Sequence, residues 1–420
     1  MEQRRTRPAQ SGQNRPGTRA PEQAVRPAKD RGKEKRLQNG MKAVRKKFHI
    51  FSVRSGLDMP FLFLVLILVV IGLVMLFSAS YPFAYYYYGD SYFFIRSQVM
   101  WAIIGVVIMF AVSYFDYHHL HKFAIPVLIL SFVLLVVVLM MPAYKDVHRR
   151  IRVGSLISFQ PSEITKFAIV LSFAHLISIN FKRMDTFKYG VLPYALILLP
   201  TAGLLAMEPH ISCTVIVVLL AGGMLFIGGV KLRWFGAALG AATAALLYLV
   251  IFTNEFTYAN NRILGWLDPF NPEMAQETWQ TRQSLYSIGS GGLLGLGLGN
   301  SRQKFLYLPE PQNDFIFAVI CEELGFVGAV IIILLFALLV WRGITISMRA
   351  KDKFGALLGV GLTAQVGLQV LLNIAVVTNT IPNTGISLPF FSHGGTSLVM
   401  LLAQMGVVLS ISRSATLEKT

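Results

Sequence analysis

Long apolar runs recur along the chain from residue 59 to residue 412, and short polar or Gly- and Pro-containing segments separate them. A helix needs roughly 20 consecutive apolar residues to cross the hydrocarbon core of a bilayer. The pattern therefore predicts an all-α membrane protein, a polytopic bundle of ten transmembrane helices. The predicted spans are 59–80, 97–115, 122–141, 163–181, 189–207, 211–230, 234–253, 314–341, 354–378 and 394–412.

Basic residues in the short connections predict the orientation of these spans, because cytoplasmic connections carry an excess of Lys and Arg. With the basic N-terminal segment inside, both termini are predicted to be cytoplasmic. The connection 254–313, between the seventh and eighth spans, then becomes a large extracellular loop. The basic residues assigned to the cytoplasmic side are Lys122, Lys182, Arg183, Lys188, Lys231, Arg233, Arg342, Arg349, Lys351, Lys353 and Arg413.

Composition supports a membrane protein, since 54% of residues are hydrophobic, 14% are charged and the mean hydropathy is +0.58. The net charge of +17 is concentrated in residues 1–55, which hold 16 Lys and Arg against four Asp and Glu. This polar segment predicts a disordered cytoplasmic tail, followed by the membrane domain 56–412 and a short cytoplasmic tail, 413–420. The tail is expected to contact anionic lipid headgroups rather than nucleic acid, although a nucleic-acid-binding arm is the alternative. The two cysteines suggest neither a disulfide framework nor a metal site.

The loop 142–162 is predicted to face outward, yet it carries Lys145, Arg149, Arg150 and Arg152. The positive-inside bias disfavours basic residues on that side. One interpretation is that the more numerous basic residues on the cytoplasmic side determine the orientation despite this loop. The other is that its arginines bind phosphate at headgroup depth, a role that suits the planar guanidinium group.

The connection 254–313 is the longest in the chain and contains eight aromatic residues besides the glycine-rich run 289–299. Long connections in compact proteins are usually functional or disordered. Its aromatic content favours an ordered segment. A nucleotide-binding glycine loop is a weak alternative, because no strand precedes the run and no Lys-Ser/Thr pair follows it.

Asp314 follows Leu308-Pro-Glu-Pro-Gln-Asn at the start of the eighth predicted span. A carboxylate where the chain enters hydrocarbon is costly and is usually functional. One interpretation is a general base at the outer membrane surface. The alternative is a helix N-cap, a position that favours Asp. The residues alone leave both open, and the span itself is predicted to run 28 residues, to Trp341.

Two further pairs of charged residues are predicted to be structural. Glu322 and Glu323 are adjacent in an apolar helix, so at least one of them should meet a polar group from another helix. Glu163 and Lys166 lie three residues apart and can pair on one helix face. Near the C-terminus, 381–397 combines prolines and glycines in a way that predicts a structured, re-entrant turn.

Five motifs in order resemble the SEDS family of bacterial membrane proteins, which includes FtsW, RodA and SpoVE. The resemblance extends from about Leu57 to Ser412, and the connection 381–397 looks closest to FtsW-like members. The motifs are Gln160–Lys166, Gly289–Gly292 leading into Gly297–Asn300, Leu308–Phe317, Glu322–Gly325 and Ile381–Ser397.

This resemblance implies an inverting peptidoglycan glycosyltransferase in the bacterial cytoplasmic membrane that polymerises lipid II into β-1,4-linked strands, with a leaning towards cell division. It also implies a class B penicillin-binding protein as partner, beside other division or elongation proteins. Asp314 matches the family's essential aspartate, which favours the general-base interpretation. No cofactor is assigned, although the pyrophosphate of the substrate could recruit Mg²⁺ or Mn²⁺. The substrate-binding candidates are Arg149, Arg150, Arg152, Arg262, Lys304, Glu310, Ser392 and His393.

The chain departs from the family pattern at three places. Gln312-Asn313 replaces the His-Thr or Gln-Thr common before the aspartate, Arg149-Arg150-Ile151 lacks the usual tryptophan, and His210 stands where an acidic residue is common. A flippase for lipid-linked precursors and a non-catalytic scaffold for the penicillin-binding protein are the alternative functions. The flippase lacks support from an inverted repeat, and the scaffold predicts that Asp314→Asn is harmless.

Overall fold

The computed structural model describes residues 56–141, 151–153, 157–208, 211–252 and 263–415. The predictions for the N-terminal tail and for the end of the C-terminal tail lie outside these residues. The same is true of Lys145, Arg149, Arg150, His210 and Arg262.

Helices make up almost all of the regular secondary structure in the described chain, which confirms the predicted fold class. The exception is a small hairpin of two three-residue antiparallel strands, in which Ile151 lies opposite Phe159. In chain order the elements are α1 (Met59–Tyr88), α2 (Phe93–Tyr114), α3 (Leu120–Met140), β1 (Ile151–Val153), β2 (Ile157–Phe159), α4 (Pro161–Asn180), α5 (Phe187–Gly190), α6 (Leu192–Met207), α7 (Ile211–Ile227), α8 (Leu232–Phe252), α9 (Trp279–Gly291), α10 (Ile316–Met348), α11 (Lys353–Val377) and α12 (Gly395–Ser414).

Eight helical stretches within the described residues are long and apolar enough to cross a membrane. They correspond to eight of the ten predicted spans. The other two predictions coincide with α7, a shorter apolar helix, and with α8, which has 21 residues. The protein is therefore a multi-pass membrane protein, while the count of ten spans stays a prediction.

The core of the bundle forms where α2 packs along α12 and where α4 and α10 pack against α11. Small residues allow the close approach of α2 and α12. A Cβ atom on Gly406 of α12 would lie 2.5 Å from the carbonyl oxygen of Met109, and one on Gly105 of α2 would lie 2.6 Å from Leu402 Cδ1. Close backbone contact of this kind is the usual means of holding helices together in lipid, where burial of apolar surface contributes little.

Asp58 stabilises the start of α1 and joins it to α10. Its Oδ1 accepts a hydrogen bond of 3.0 Å from Phe61 N, and Pro60 occupies the first turn, as is typical of helix starts. Both of its oxygens also accept from the guanidinium of Arg342, at 3.0 and 2.7 Å. One carboxylate therefore caps a helix and forms a two-point ion pair between helices.

The helix α10 differs from its prediction. It begins at Ile316, ends at Met348 and is broken at Gly325, where φ is 68° and ψ is −172°. The prediction of one helix from Asp314 to Trp341 was therefore wrong at both ends and in continuity. Residues 315–323, before or at the start of the helix, are all buried, whereas many later side chains of α10 are exposed, as those facing lipid would be.

Candidate active site

Asp314 lies in the turn that leads into α10, two residues before the helix begins. Phe315 holds the N-cap position and makes no side-chain cap hydrogen bond, so Asp314 does not occupy the position that the cap interpretation required. Asp314 is partly exposed, and the next nine residues are buried. The carboxylate therefore lies at the point where an accessible turn becomes a buried helix.

Hydrogen bonds hold three consecutive carbonyl groups of this turn to a distant part of the chain. His393 N donates to the carbonyl oxygen of Gln312 at 2.9 Å, and Ser392 Oγ donates to that of Asn313 at 2.6 Å. Asn373 Nδ2, from α11, donates to the carbonyl oxygen of Asp314 at 2.8 Å. The turn is thus fixed against α11 and the connection between α11 and α12.

Gly385 brings that connection against the carboxylate itself. Its φ is +69°, and a Cβ atom placed on it would lie 3.1 Å from Asp314 Oδ2. Asn383 supports this bend, since its Oδ1 accepts from Gly385 N at 3.3 Å and its Nδ2 donates to Gln280 Oε1 of α9 at 3.1 Å. A side chain at position 385 would both strain the backbone and crowd the carboxylate.

Three of the predicted binding residues lie beside this turn. Glu310 Oε2 accepts from Asn313 Nδ2 at 2.8 Å. Ser392 Oγ also accepts from Leu388 N at 2.8 Å, so the hydroxyl is already bonded in both directions. The His393 ring packs edge to face on Phe94, with 4.9 Å between centroids. The structure therefore brings Glu310, Ser392 and His393 to the turn that carries Asp314, where the hydroxyl of Ser392 binds main chain.

The connection 378–394 is anchored at several points, in agreement with the predicted structured turn. Asn379 Nδ2 donates to the carbonyl oxygen of Trp266 at 3.1 Å, and the indole of Trp266 donates back to that of Asn379 at 3.0 Å. Ser212 Oγ of α7 donates to the carbonyl oxygen of Thr384. The connection thus contacts both α7 and the segment before α9.

Lys304 lies elsewhere, in a buried polar cluster with Glu322 and Glu323. Lys304 Nζ forms an ion pair of 2.6 Å with Glu323 Oε1, and both side chains are 0% exposed. Ser78 of α1 donates to both oxygens of Glu323 at 2.8 and 2.6 Å. A lysine in this position does not offer its charge to an outside phosphate, which is a correction to its place among the substrate-binding candidates.

Glu322 is bonded in the same cluster but to different donors. Its oxygens accept from Ser287 Oγ at 2.9 Å, Ser301 Oγ at 2.5 Å and Arg302 N at 2.9 Å. The two adjacent carboxylates thus point to different partners, as their helical spacing requires. Both occupy structural positions between α10, α9 and the chain before Asp314.

Residues of the glycine-rich run 289–299 bond to the main chain of α10 at its break. Leu296 N and Gly297 N donate to the carbonyl oxygens of Glu322 and Glu323 at 2.9 and 3.0 Å. These carbonyls precede Gly325, so the break leaves them without helical partners. A Cβ atom on Gly325 would lie 2.2 Å from Gly295 N. Close backbone approach, rather than nucleotide binding, accounts for these glycines.

The predicted pair Glu163 and Lys166 is present at the start of α4, with 2.8 Å between Oε1 and Nζ and only 3% exposure of the lysine side chain. Glu208, at the end of α6, is also buried. Cys213 Sγ of α7 lies 3.9 Å from the carbonyl oxygen of Ser162, which joins α7 to the first turn of α4.

Of the predicted phosphate-binding arginines, only Arg152 falls within the described residues. Its backbone lies in β1 opposite Ser158. No group of three or more His, Cys, Asp or Glu side chains able to hold a metal ion occurs among the residues that the structure describes. The arginines and the divalent cation therefore stay predictions.

Asn373 is the residue of this site that sequence reasoning missed. It is fully buried in an apolar helix, and its Nδ2 donates to Ile386 O at 2.5 Å as well as to Asp314 O. A signal was available, because Gln365, Gln369 and Asn373 recur every four residues and share one face of α11. Polar residues on one face inside a membrane usually mark a functional or structural contact.

Similarity to known proteins agrees with this geometry. A curated relative, stage V sporulation protein E of Bacillus subtilis (strain 168), is 39% identical over 81% of this chain and 93% of its own length. A probable peptidoglycan glycosyltransferase FtsW of Geobacter sp. (strain M18) is 36% identical over 85% of this chain and 97% of its own.

Two solved structures have a similar fold. One, described as "Structural coordination of polymerization and crosslinking by a peptidoglycan synthase complex", has a TM-score of 0.69 and 26% identity, covering 85% of this chain and 98% of that chain. The rod shape determining protein RodA of Thermus thermophilus has a TM-score of 0.63 and 25% identity, covering 86% and 98%. The family model of FtsW, RodA and SpoVE, described as "Cell cycle protein", matches residues 59–417, and this chain belongs to that family.

Proposed function

We propose that this chain is a peptidoglycan glycosyltransferase that polymerises lipid II at the outer face of the cytoplasmic membrane, with Asp314 as its general base. The chain belongs to a family whose curated members include probable peptidoglycan glycosyltransferases. The observation that carries the proposal is the partly exposed carboxylate of Asp314 at the entrance to a buried helix, held on a turn with three bonded carbonyls.

The reaction needs one base and one leaving group. The 4-hydroxyl of the acceptor sugar attacks the anomeric carbon of the donor, and its proton passes to the Asp314 carboxylate. The bond from that carbon to the phosphate oxygen breaks, and its electron pair leaves with undecaprenyl pyrophosphate. Attack opposite the leaving group inverts the α-linked donor to a β-1,4 bond in a single displacement.

The departing pyrophosphate requires positive charge. The side chains proposed for this task are Arg149, Arg150, Arg152 and Arg262, and the alternative is Mg²⁺ or Mn²⁺ recruited by the substrate's pyrophosphate. Lys304 has no part in it, because its charge is buried against Glu323. Glu310 and His393 bond to Asn313 and Gln312, in the turn that carries Asp314, and are proposed to contact the substrate's sugars.

A penicillin-binding protein of class B is the proposed partner, and it would crosslink the new strand. A solved structure of similar fold is described as coordinating polymerization and crosslinking in a peptidoglycan synthase complex. We further propose that both termini are cytoplasmic and that the basic tail 1–55 contacts anionic lipids. A role in division is favoured over elongation, in keeping with the FtsW-named relatives.

Labelled lipid II tests the proposal directly. The full-length chain, purified with a class B penicillin-binding protein of its own organism, is expected to form glycan polymer while a β-lactam blocks the transpeptidase. Asp314→Asn, which keeps the size of the side chain but removes its basicity, is expected to lower polymerisation at least a hundredfold. Unchanged polymerisation by Asp314→Asn would refute the general-base role. Lipid II translocation without polymer would favour the flippase.

A further inference from the structure

The turn that carries Asp314 is held through its main chain by side chains from another part of the bundle. Three consecutive carbonyls, from Gln312 to Asp314, each accept a hydrogen bond from α11 or from the connection that follows it. Two of the donors are side chains, Asn373 and Ser392. Two successive carbonyls of an active-site turn are therefore held by side-chain donors.

We propose that Asn373 and Ser392 are positioning residues, which set the location of the Asp314 carboxylate by holding the carbonyls of Asp314 and Asn313. The inference rests on the proposed general-base role of Asp314. Asn373 is assigned neither to acid–base chemistry nor to substrate contact, and the hydroxyl of Ser392, a substrate-binding candidate by sequence, is bonded to main chain in both directions.

Asn373 joins the two segments that meet at the carboxylate. Its Nδ2 donates to Asp314 O at 2.8 Å and to Ile386 O at 2.5 Å. Ile386 follows Gly385, and a Cβ atom placed on Gly385 would lie 3.1 Å from Asp314 Oδ2. One buried amide therefore sets the spacing between the catalytic turn and the backbone that lies against its carboxylate.

Ser392 fixes the preceding carbonyl from the other end of the same connection. Its hydroxyl donates to Asn313 O at 2.6 Å and accepts from Leu388 N at 2.8 Å. With both directions of the hydroxyl used by main chain, the side chain acts as a bridge between two backbone segments. Loss of either bridge would leave the turn free to shift, and a misplacement of about 1 Å can cost about a hundredfold in rate.

Steady-state polymerisation of labelled lipid II by the full-length chain with its penicillin-binding protein separates positioning from other roles. Asn373→Leu, of similar size, and Ser392→Ala remove the two donors. Each is expected to lower kcat at least tenfold with KM within about twofold of the parent, because binding does not require an aligned base. Ser392→Thr retains a hydroxyl and is expected to restore kcat to within about threefold of the parent.

Asn379→Ala is the matched control for folding. It deletes the same kind of bond, of 3.1 Å, between the same connection and Trp266. It is expected to keep the parent kcat, with a melting temperature close to those of the positioning variants. If Asn373→Leu fails to fold, the pair Ser392→Ala and Ser392→Thr decides, because Ser392 is only half-buried and tolerates a change of one group.

Parent-like kcat in Ser392→Ala, or loss of activity only in proportion to the folded fraction, would overturn the inference. Asp314→Asn in the same assay distinguishes failure of the general-base role from failure of the positioning role. If Asp314→Asn polymerises normally, the proposed general-base role of Asp314 fails. If Asp314→Asn is inactive while Asn373→Leu and Ser392→Ala are fully active, only the positioning role fails.

Discussion

The buried ion pair of Lys304 and Glu323 should make Lys304→Met strongly destabilising. Both side chains are 0% exposed, and the pair is 2.6 Å long. Methionine keeps much of the apolar volume, but among the described residues it leaves the Glu323 carboxylate with hydrogen bonds only from Ser78 Oγ and from Ser301 N, the latter at 3.4 Å. Removing one partner of a buried pair typically costs about 3–5 kcal/mol, because the remaining charge is uncompensated.

The assay is reversible unfolding of the purified protein in mixed micelles, followed by tryptophan fluorescence. The double variant Lys304→Met/Glu323→Gln removes the orphaned charge and is expected to regain more than half of the lost stability. Arg96→Ala is the exposed counterpart, since its pair with Asp90 is 3.0 Å long but the arginine side chain is 72% exposed. It should cost less than about 1 kcal/mol.

Equal stability of Lys304→Met and the parent would refute this reasoning. So would a double variant that is no more stable than Lys304→Met, because the loss would then come from packing and not from an unpaired charge. A parent-like polymerisation rate in the double variant would in addition support a structural role for Lys304, distinct from phosphate binding.

Two further predictions concern the backbone. Gly325→Ala is expected to lower the free energy of unfolding by about 1–3 kcal/mol or more, because φ is 68° and the new Cβ atom would lie 2.2 Å from Gly295 N. Gly289→Ala is the control in the same unfolding assay, because a Cβ atom there has nothing within 4 Å. Asp58→Ala is expected to destabilise more than Asp58→Asn, because Asn keeps the cap, worth about 1 kcal/mol, while both lose the charge facing Arg342. Equal losses of stability in the two Asp58 variants would show that the cap makes no separate contribution.

Local composition and family motifs predict much of the fold of this chain. Hydrocarbon excludes unpaired backbone groups, so apolar runs of sufficient length become helices almost regardless of their neighbours. Eight predicted spans accordingly match described helices that are long and apolar enough to cross a membrane. The pairing of Glu163 with Lys166 was likewise predictable, because both lie within one turn of one helix.

The break in α10 could not be read from hydropathy, because residues 314–341 are apolar enough to predict one continuous span even with Glu322 and Glu323 before Gly325. Its conformation depends on backbone donors from residues 296 and 297, which satisfy the carbonyls that the break frees. The environment of Lys304 could not be predicted from local sequence either. Its charge suggested a phosphate contact, but its burial follows from Glu323, which is 19 residues away in sequence.

The sequence by itself determined a multi-pass helical membrane protein of a recognisable family and singled out Asp314. Only the tertiary structure decided what holds that carboxylate, since the donors Asn373 and Ser392 are 59 and 79 residues from the carbonyls that they bind. Helix formation in lipid is local, because each backbone group finds its partner within four residues. The alignment of a turn depends on side chains brought together by packing, and that information is not present in any short stretch of sequence.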